Sequence, residues 1–360
     1  MDLDELRAAI DAIDDEMLDL LRRRAELIPQ IQARKAATGV TTVDPKREQA
    51  IFDRLLQKGA GPFPAYAIKA VFREIMSASV SMQKKIAVSY LGPEGTYSHL
   101  AAQRLFGYAP TYREEATIAG VVQAVRDGQV DHGVVPIENS TEGTVTSALD
   151  ALLEGGCAIS QELILGIEHC LLARTPQLAD VRRVYSHPQA LAQCRDWLHA
   201  NLPRVQLVHT ESTTAAVRKA LSDDEGGAIA SSLASEIFSV PVLRTGVQDR
   251  RDNATRFIVV SQKDASPTGD DRTSIAFHLG DDQRPGSLHR VLSRLEEKGV
   301  NLTRIESRPR REQAWRYVFI ADLEGHRDDR PISTALAGLT ETCEWLLILG
   351  SYPRHRAEEA

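Results

Sequence analysis

The sequence predicts a multidomain protein with an all-α N-terminal domain, a two-lobed α/β domain and a C-terminal α+β domain. Residues 1–85 show only helical periodicity, residues 86–262 alternate strands with helices, and residues 272–353 follow a βαββαβ pattern. A chain of 360 residues is long enough for three separate cores. We therefore expect three domains with these boundaries.

The composition is typical of a soluble globular protein, with 42% hydrophobic and 26% charged residues. A net charge of -7 argues against a nucleic-acid-binding surface. No apolar run reaches the roughly 18 residues of a membrane span, and the acidic, amphipathic start does not resemble a signal peptide. We therefore expect a cytoplasmic protein without nucleic-acid or membrane partners. The four cysteines, Cys157, Cys170, Cys194 and Cys343, form no CxxC pair and have no histidine at a metal-ligand spacing. We therefore expect buried thiols and no bound metal.

The first predicted helix, which runs to about Thr38, carries an apolar seam that one cation interrupts. Arg24 occupies the slot between Leu20 and Leu27. A guanidinium in such a seam needs an anion, although a polar seam residue can also serve only to set helix register. The apolar residues, at alternating spacings of three and four, are Leu3, Leu6, Ile10, Ile13, Met17, Leu20, Leu27 and Ile31.

Two further cations lie on this helix. Lys35 follows Arg24 by eleven residues, about 20° around the helix and roughly 16 Å along it, so both can reach one small dianion. Arg7 lies about 42 Å from Lys35 and can join them only from a second chain packed antiparallel. Pro29 forfeits a backbone hydrogen bond, at roughly 3 kcal/mol unless a kink absorbs it. A three-helix unit with one overlong helix also needs a partner, so we expect a homodimer or higher homo-oligomer.

Polar residues on two more predicted helices complete a candidate pocket. Asp44 and Pro45 begin the second helix, which ends near Gly59, and the third spans about Pro64 to Gln83. Several cations around one buried pocket favour a small dicarboxylate. The charged or polar residues without an evident packing role are Arg7, Arg24, Lys35, Asp44, Arg47, Glu48, Ser79 and Gln83.

The segment LRAAIDAIDDEMLDLLRRRAEL, followed by ARK, DPKRE and SxxxQ at Ser79 and Gln83, resembles the all-helical chorismate mutase domain. The resemblance implies that Arg24, with Arg7 of the partner subunit, binds the substrate carboxylates. It also implies that Lys35 and Gln83 bind the ether oxygen whose bond breaks. The rearrangement needs a compact bound conformer and donors at the oxygen that gains charge. Glu48 would bind the ring hydroxyl, and the pocket would be completed by Asp44, Arg47 and Ser79.

The middle domain begins with a buried strand, IAVSYLG, at 86–92. The alternation of strands and helices predicts a mainly parallel sheet, and we expect two lobes around a cleft rather than one continuous sheet. The other expected strands are Gly133 to Ile137, Val181 to Ser186, Val205 to Thr210, Ala228 to Ala230 and Phe257 to Ser261.

Three turns of this domain are rich in hydroxyl groups: LGPEGTYSH at 91–99, PIENSTEGTV at 136–145 and ESTTAAV at 211–217. Each hydroxyl alone is more often a routine helix cap. Several free helix N-termini around one cleft would nevertheless suit an anion. Neither GxGxxG nor a P-loop motif is present, so a nucleotide site is not predicted.

With SHPQALAQC at 186–194 and DNATRF at 252–257 in the same order, residues 86–262 resemble prephenate dehydratase. The resemblance implies that Thr255 is essential and that Thr96, Asn139, Ser140 and Arg256 line the substrate cleft. The reaction expels a ring hydroxyl as carbon dioxide leaves, so it needs a hydrogen-bonding acid and groups that hold the anion. The sequence leaves open whether Thr255 donates the proton or positions the hydroxyl.

A polar linker at 261–272 precedes the last domain. There the expected order is strand 273–280, helix 286–298, strands 300–308 and 315–323, helix 332–342 and strand 345–350, which is a ferredoxin-like topology. PGSL at 285–288 and ESRP at 306–309 are similar to the ACT regulatory domain of dehydratases, which senses phenylalanine. The alternative role of such a unit is dimerisation. The resemblance implies an effector site at Ser287, Leu288, Glu306, Ser307, Arg308 and Pro309, with Ser287 where the family more often has alanine.

Three motif sets in one order predict a bifunctional enzyme that converts chorismate to prephenate and prephenate to phenylpyruvate, under inhibition by L-phenylalanine. Neither step is a redox reaction and no dinucleotide fingerprint is present, so we expect no cofactor. One alternative is a non-catalytic ligand sensor, although a sensor would not need Lys35 and Gln83 at an ether oxygen. Another is an enzyme with only one working activity.

Overall fold

The computed structural model describes residues 1–38, 43–279, 285–309 and 317–355. These residues form two compact units. The first comprises Met1–Ile86 with Phe106–Thr111, and the second comprises Ala87–Leu105 with Tyr112–Ala360. Within the described ranges, no helix is long and apolar enough to cross a membrane.

The first unit is all-helical, and its first helical segment is divided. The prediction of one helix to Thr38 is wrong, because Leu27 separates two helices. Pro29 lies in the first turn of the second helix, where a missing N–H removes no helical hydrogen bond. The predicted start at Asp44 is confirmed, since its side chain caps the next helix. The helices are α1 (Leu3–Glu26), α2 (Ile28–Thr38), α3 (Pro45–Gln57) and α4 (Ala65–Gln83).

The apolar seam of α1 is exposed. No residue of α1 is buried, and its seam residues from Leu3 to Leu20 are 47% to 62% exposed. The other helices of this unit each bury at least one large apolar side chain, Ile28, Phe52 and Met76. Helix α1 therefore presents a continuous apolar stripe to its surroundings.

The second unit begins with a lobe built around a sheet. Its elements are β1 (Ala87–Leu91), α5 (Tyr97–Phe106), β2 (Thr111–Glu115), α6 (Ile118–Arg126), β3 (His132–Asn139), β4 (Gly143–Thr144), α7 (Thr146–Leu153) and β5 (Ala158–Gly166).

A second lobe follows after a short crossing segment. It contains β6 (Cys170–Ala173), a 3-10 turn (Leu178–Asp180), β7 (Arg183–Ser186), α8 (Pro188–Gln193), α9 (Arg195–Asn201), β8 (Gln206–His209), α10 (Thr213–Leu221), β9 (Gly226–Ala230), α11 (Ser232–Phe238) and β10 (Val242–Arg244). The chain then returns to the first lobe as β11 (Ala254–Ser261).

Each lobe has its own sheet, which confirms the two-lobed α/β prediction. The strand orders are β2-β1-β3-β11-β5, with β4 beside β3, and β10-β6-β9-β7-β8. Strand β1 is parallel to β3, and β7 is parallel to both β8 and β9. The returning strand β11, however, is antiparallel to β3 and β5, and β6 is antiparallel to β9 and β10. The sheets are therefore mixed rather than mainly parallel, because the chain crosses between the lobes twice.

The C-terminal elements confirm the βαββαβ prediction. The sheet order β13-β14-β12-β15 is that of a ferredoxin-like unit. The predicted ends at Gly280 and at residues 315–316 lie outside the described residues. The elements are β12 (Asp271–His278), α12 (Ser287–Glu297), β13 (Leu302–Pro309), β14 (Tyr317–Glu324), α13 (Arg330–Thr342) and β15 (Trp345–Pro353).

The C-terminal sheet is covered on both faces, and one face belongs to a core shared with the first lobe. Ile275 and Leu323 pack in a cluster with residues of α12 and α13. On the other face, Ile320 and Tyr352 join the cluster that contains Leu149 of α7. The C-terminal domain therefore has a core of its own under α12 and α13 and shares a second core with the first lobe.

Backbone contact also supports this docking. Gly350 in β15 lies so close to Ile159 in β5 that a Cβ atom at Gly350 would overlap the Ile159 backbone. A residue without a side chain is therefore required at position 350.

Candidate active sites

The helical unit brings Arg24, Ser79 and Gln83 together. Arg24 donates a hydrogen bond to Ser79 Oγ, and burial lowers the pKa of the Arg24 guanidinium. Gln83 lies one turn further along α4 and donates to the Ser79 carbonyl at 3.2 Å. Gln83 Oε1 is buried and has no hydrogen-bond partner among the described residues. The desolvated Arg24 guanidinium is suited to an anionic ligand, whereas Gln83 Oε1 can only accept a hydrogen bond, as from a ligand hydroxyl.

Glu48 lies at the start of α3 in the field of several charges. Burial raises its pKa to about 7, Arg73 and Lys35 lower it, and Asp44 raises it. Arg73 also lies over the Phe52 ring at 5.3 Å. Arg73 is not predicted from the sequence, because nothing in its spacing separates it from an ordinary surface cation. Near neutral pH, Glu48 is therefore a carboxyl group that can donate a hydrogen bond.

Two of the predicted residues do not join this cluster within one chain. Arg7 pairs with Asp4 at 3.3 Å and its side chain is 66% exposed. It precedes Arg24 by 17 residues, about 25 Å along a helix. Arg47 is exposed, and its backbone N–H donates to Asp44 Oδ1 at 3.0 Å.

In the second unit, a cleft of about 380 Å³ lies between the two lobes. Three of the five predicted residues, Thr96, Asn139 and Thr255, line it. The N-terminal ends of α5, α8 and α10 all border the same space. Its lining is Leu91, Thr96, Tyr97, Ser98, Pro136, Asn139, Glu142, Val145, Ile167, His169, His187, Gln189, Ala190, Gln193, Glu211, Ser212, Thr213, Asn253, Thr255 and Phe257.

Thr255 and Asn139 form a pair across β11 and β3. The two residues are register partners, and Asn139 Nδ2 donates to Thr255 Oγ1 at 2.8 Å. The orientation of the Asn139 amide is fixed, because its Oδ1 accepts from Thr141 N at 3.0 Å and from Thr141 Oγ1 at 2.7 Å. Thr255 Oγ1 thus accepts a hydrogen bond, and its own hydrogen is available to donate into the cleft.

The other two predicted residues lie outside the cleft. Ser140 Oγ accepts from Ala254 N at 2.9 Å and donates to Asn253 Oδ1 at 3.2 Å, so it supports the segment that enters β11. Arg256 points to the opposite face of β11 and forms an ion pair with Glu162 at 2.8 Å. The reason is the alternation of a strand, which turns the neighbours of Thr255 away from the cleft.

The cleft also contains a chain of hydrogen-bonded side chains, Tyr97, His169 and Gln193, that was not predicted from the sequence. The Tyr97 hydroxyl donates to the Glu168 carbonyl at 2.7 Å and lies 3.0 Å from His169 Nδ1. His169 Nε2 lies 2.8 Å from Gln193 Oε1. Burial raises the pKa of Tyr97 and lowers that of His169, so both stay neutral near pH 7. Tyr97 and Gln193 lie within the motifs LGPEGTYSH and SHPQALAQC, but no motif or spacing in the sequence marks His169 as a site residue.

The polar lining of this cleft is mostly neutral, with two carboxylates, Glu142 and Glu211. The described lining contains no Arg or Lys. Ser212 caps α10 through the Ala215 N–H at 3.0 Å, and Thr214 Oγ1 donates to the Glu94 carbonyl at 2.8 Å, which ties α10 to the turn before α5. No group of acidic, His or Cys side chains suited to a metal ion is found among the described residues. The cleft is therefore suited to an organic anion held by helix N-termini.

Three family models match this chain, one after another. Residues 6–84 match the family model of chorismate mutase type II, 88–265 that of prephenate dehydratase and 273–341 that of the ACT domain. The bifunctional chorismate mutase/prephenate dehydratase of Aquifex aeolicus is 42% identical over 99% of both chains. This chain belongs to that bifunctional family. The enzyme of the same name from Pseudomonas aeruginosa is 38% identical over 98% of both chains.

A solved structure is also similar to the second unit. The prephenate dehydratase of Arthrobacter aurescens, described in complex with L-Phe, superposes with a TM-score of 0.69 at 36% identity. The match covers 75% of this chain and 90% of that one. The chain is thus a chorismate mutase and prephenate dehydratase with an ACT domain.

The predicted effector residues of the ACT domain do not form one pocket. Glu306 accepts from Thr144 and Arg304, and Arg308 pairs with Asp150 at 2.5 Å, so both contact the dehydratase lobe. Ser287 is buried at the start of α12 and accepts from Arg290 at 2.8 Å. Leu288 packs against the core beneath α12, whereas Ser307 and Pro309 are exposed.

A groove of about 510 Å³ lies beside α12 and contains none of these six residues. Its lining residues are His289, Leu292, Ser293, Leu295, Glu296, Gly299, Val300, Asn301 and Leu302.

The raised pKa of Glu48 gives a pH dependence for the mutase. If the neutral carboxyl donates to the substrate, kcat/KM for chorismate should fall about tenfold between pH 6 and pH 8. Glu48→Gln, which donates a hydrogen bond at every pH, should show no such fall. Steady-state rates from pH 5 to pH 9 would decide the matter, and parallel profiles for the two proteins would contradict the role of Glu48.

The raised pKa of Glu48 also makes the free energy of unfolding depend on pH. The folded state binds the Glu48 proton more tightly than the unfolded state, so stability is lost as the pH rises from about 4.5 to about 7.

Proposed function

We propose that the helical unit carries out the mutase reaction with the residues that cluster around Arg24 and Glu48. Arg24 binds one substrate carboxylate, Lys35 and Gln83 bind the ether oxygen, and Glu48 binds the ring hydroxyl. Asp44 and Ser79 fix the start of α3 and the Arg24 guanidinium, and Arg47 completes the rim. The hydrogen bonds that bring Arg24, Ser79 and Gln83 together carry this assignment, because they place a guanidinium and an amide donor beside one another.

The mutase site takes its remaining cation from a second copy of the chain. Arg7 is about 25 Å from Arg24 along α1, and the apolar stripe of α1 is exposed. Antiparallel packing of two α1 helices covers the stripe and brings Arg7 of the partner subunit toward Arg24. The proposed assembly is therefore a homodimer, or a higher homo-oligomer built from it.

A mixing experiment tests this shared site. Arg7→Ala and Arg24→Ala should each inactivate the mutase, but a mixed dimer of the two contains one intact site. After subunits exchange, about one quarter of wild-type mutase activity should return. If mixed dimers form and activity stays at the level of the separate variants, both cations act within one chain.

For the dehydratase we propose that Thr255 donates a hydrogen bond to the departing ring hydroxyl of prephenate. Asn139 fixes its oxygen, which leaves the Thr255 hydrogen directed to the ligand. The N-terminal ends of α5, α8 and α10 bind the substrate carboxylates, because the described lining of the cleft contains no Arg or Lys that could do so. Aromatisation drives the loss of carbon dioxide and water. The Thr255 to Asn139 pair is the observation on which this proposal rests.

Two variants separate the activities. Lys35→Ala should abolish prephenate formation from chorismate yet leave added prephenate converted to phenylpyruvate, whereas Thr255→Ala should do the reverse. A Lys35→Ala protein with normal chorismate turnover would show that the mutase site is misplaced. A sensor without catalysis would convert neither substrate in any variant.

We further propose that L-phenylalanine inhibits the dehydratase through the ACT domain. Support comes from the family match and from the L-Phe complex of the Arthrobacter aurescens relative. The proposed site is built from two segments, Ser287–Leu288 and Glu306–Pro309, which do not share a pocket within one chain and would meet around the bound ligand, with the α12 N-terminus for the carboxylate and Glu306 for the ammonium. Glu306→Gln should raise the inhibitory concentration about tenfold.

Two controls accompany that measurement of prephenate turnover. Glu297→Gln, an exposed carboxylate at the end of α12, should respond to L-phenylalanine like the wild type. D-phenylalanine should not inhibit either protein. An unchanged response in Glu306→Gln would place the ammonium site elsewhere.

The remaining assignments are boundaries and location. We propose domains at 1–85, 86–262 and 272–353, in agreement with the ranges of the matching family models. A cytoplasmic location is proposed because the four cysteines are free thiols, as expected in a reducing compartment.

A further inference from the structure

Arg256 belongs to a buried hydrogen-bond network that joins the dehydratase lobe to the ACT domain. Its guanidinium donates to Glu162 Oε2 at 2.8 Å, to Asp322 Oδ2 at 2.7 Å and to the Tyr352 hydroxyl at 2.8 Å. Glu162 lies in β5 of the lobe, whereas Asp322 and Tyr352 lie in β14 and β15 of the ACT domain. The side chains of Arg256, Glu162 and Asp322 are 10%, 1% and 3% exposed. One guanidinium is thus held by both domains away from water.

Further bonds fix the two carboxylates. Asp322 Oδ1 accepts from Ser274 Oγ at 2.6 Å, and Glu162 Oε2 accepts from Arg272 Nη1 at 2.6 Å. Burial alone would raise the pKa of Asp322, but Arg256 and Ser274 hold that pKa below its usual range. Arg256 Nη1 also lies 3.7 Å from Glu138 Oε2, and Glu138 pairs with Arg304 of the ACT domain at 3.5 Å. A buried network of oppositely charged groups joined by short bonds holds Arg256 in one position.

Arg256 is the residue next to Thr255 in β11. Consecutive residues of a strand point to opposite faces, so Thr255 faces the cleft while Arg256 faces the ACT domain. The pairing of β11 with β3 shifts register between Arg256 and Phe257. Such an irregularity increases the local twist and loosens the regular ladder. The orientation of the Thr255 side chain therefore depends on how Arg256 is held.

We propose that Arg256 is a positioning residue through which the ACT domain holds the Thr255 hydroxyl in its reactive orientation. The inference rests on the proposed role of Thr255 in the dehydratase reaction. Asp322 and Tyr352 anchor the guanidinium, the guanidinium fixes the twist of β11, and that twist aims the hydroxyl. A shift of β14 or β15 therefore reaches the dehydratase cleft without any contact between the ACT domain and the substrate.

The test uses two small changes in the ACT domain of the full chain. Asp322→Asn removes a charge and Tyr352→Phe removes one hydroxyl, and both preserve side-chain shape. Each should lower kcat for prephenate about tenfold with KM changed less than about twofold, while mutase turnover stays unchanged. Tyr352→Phe is the milder change, so it serves if Asp322→Asn does not fold. Val318→Ala, which removes methyl groups from the same shared core without touching Arg256, should keep wild-type kcat.

A second background shows whether the effect passes through Thr255. In Thr255→Val, the ACT changes should cause no further loss, because coupled residues are not additive. An equal loss in both backgrounds, or wild-type kcat in Asp322→Asn and Tyr352→Phe, would overturn the role of Arg256 while leaving that of Thr255 intact. Wild-type turnover in Thr255→Val alone would instead refute the proposed function of Thr255, and the inference with it.

Discussion

Thr255→Val should lower prephenate turnover by about 100-fold or more, because it removes the hydroxyl that we assign as hydrogen-bond donor to the departing group. Valine keeps the branched shape of threonine, and position 255 stays in β11 opposite Asn139. The loss should appear in kcat, since the helix N-termini that hold the carboxylates are unchanged. Chorismate turnover by the same protein should be normal, which serves as an internal measure of folding.

A matched control makes this result specific. Thr111→Val is the same chemical change on an exposed position of β2, in the sheet that contains β11. It should retain wild-type dehydratase activity. Normal turnover in Thr255→Val would show that another group assists departure of the hydroxyl.

Arg24→Ala should lower kcat/KM for chorismate by at least about 100-fold, because it removes the half-buried charge that we assign to a substrate carboxylate. Ser79, which now accepts from Arg24, keeps its own bond to the Ile75 carbonyl at 2.5 Å, so α4 retains its local structure. Added prephenate should still be converted at the wild-type rate. Steady-state assays with each substrate separately measure both effects.

The neighbouring Arg23 provides the control for Arg24. It lies on the same turn of α1 and is exposed, so Arg23→Ala removes the same charge from a position outside the cluster. Its mutase activity should remain within about twofold of wild type, since exposed charges contribute little. Equal losses in the two variants would mean that the net charge of α1 matters rather than the Arg24 site.

Local patterns predicted most elements but not how they pack. Asp44 followed by Pro45 predicts the start of a helix, and α3 begins there in the structure. For Pro29 the sequence predicts either a lost hydrogen bond or a kink within one helix, whereas in the structure one helix ends before Leu27 and another begins after it. The break places Pro29 in the first turn of α2, where the missing N–H removes no helical hydrogen bond, and α2 packs against α4.

The dehydratase site shows the same division. The motifs predicted Thr255 and Asn139 and both line the cleft, but their hydrogen bond depends on the register of two strands more than a hundred residues apart in the chain. The prediction that Arg256 lines the cleft beside Thr255 conflicts with strand alternation, which turns consecutive side chains to opposite faces. The partners of Arg256 were not predictable, because they depend on docking of the ACT sheet.

That docking left one faint signal in the sequence. Glu162 and Asp322 are carboxylates flanked by apolar residues within the strand segments ELIL and IADL. A charge in a buried strand requires a partner, although the sequence cannot show which. The shared core of the lobe and the ACT domain likewise depends on apolar residues that any separate domain would also contain.

Product analysis of the purified full chain supplied with chorismate alone, without cofactor, tests the two assigned reactions together. We expect prephenate to rise and fall as an intermediate and phenylpyruvate to accumulate to the amount of chorismate consumed. Chorismate that remains unchanged would contradict the mutase assignment. Prephenate that accumulates without phenylpyruvate would contradict the assignment of the cleft at Thr255.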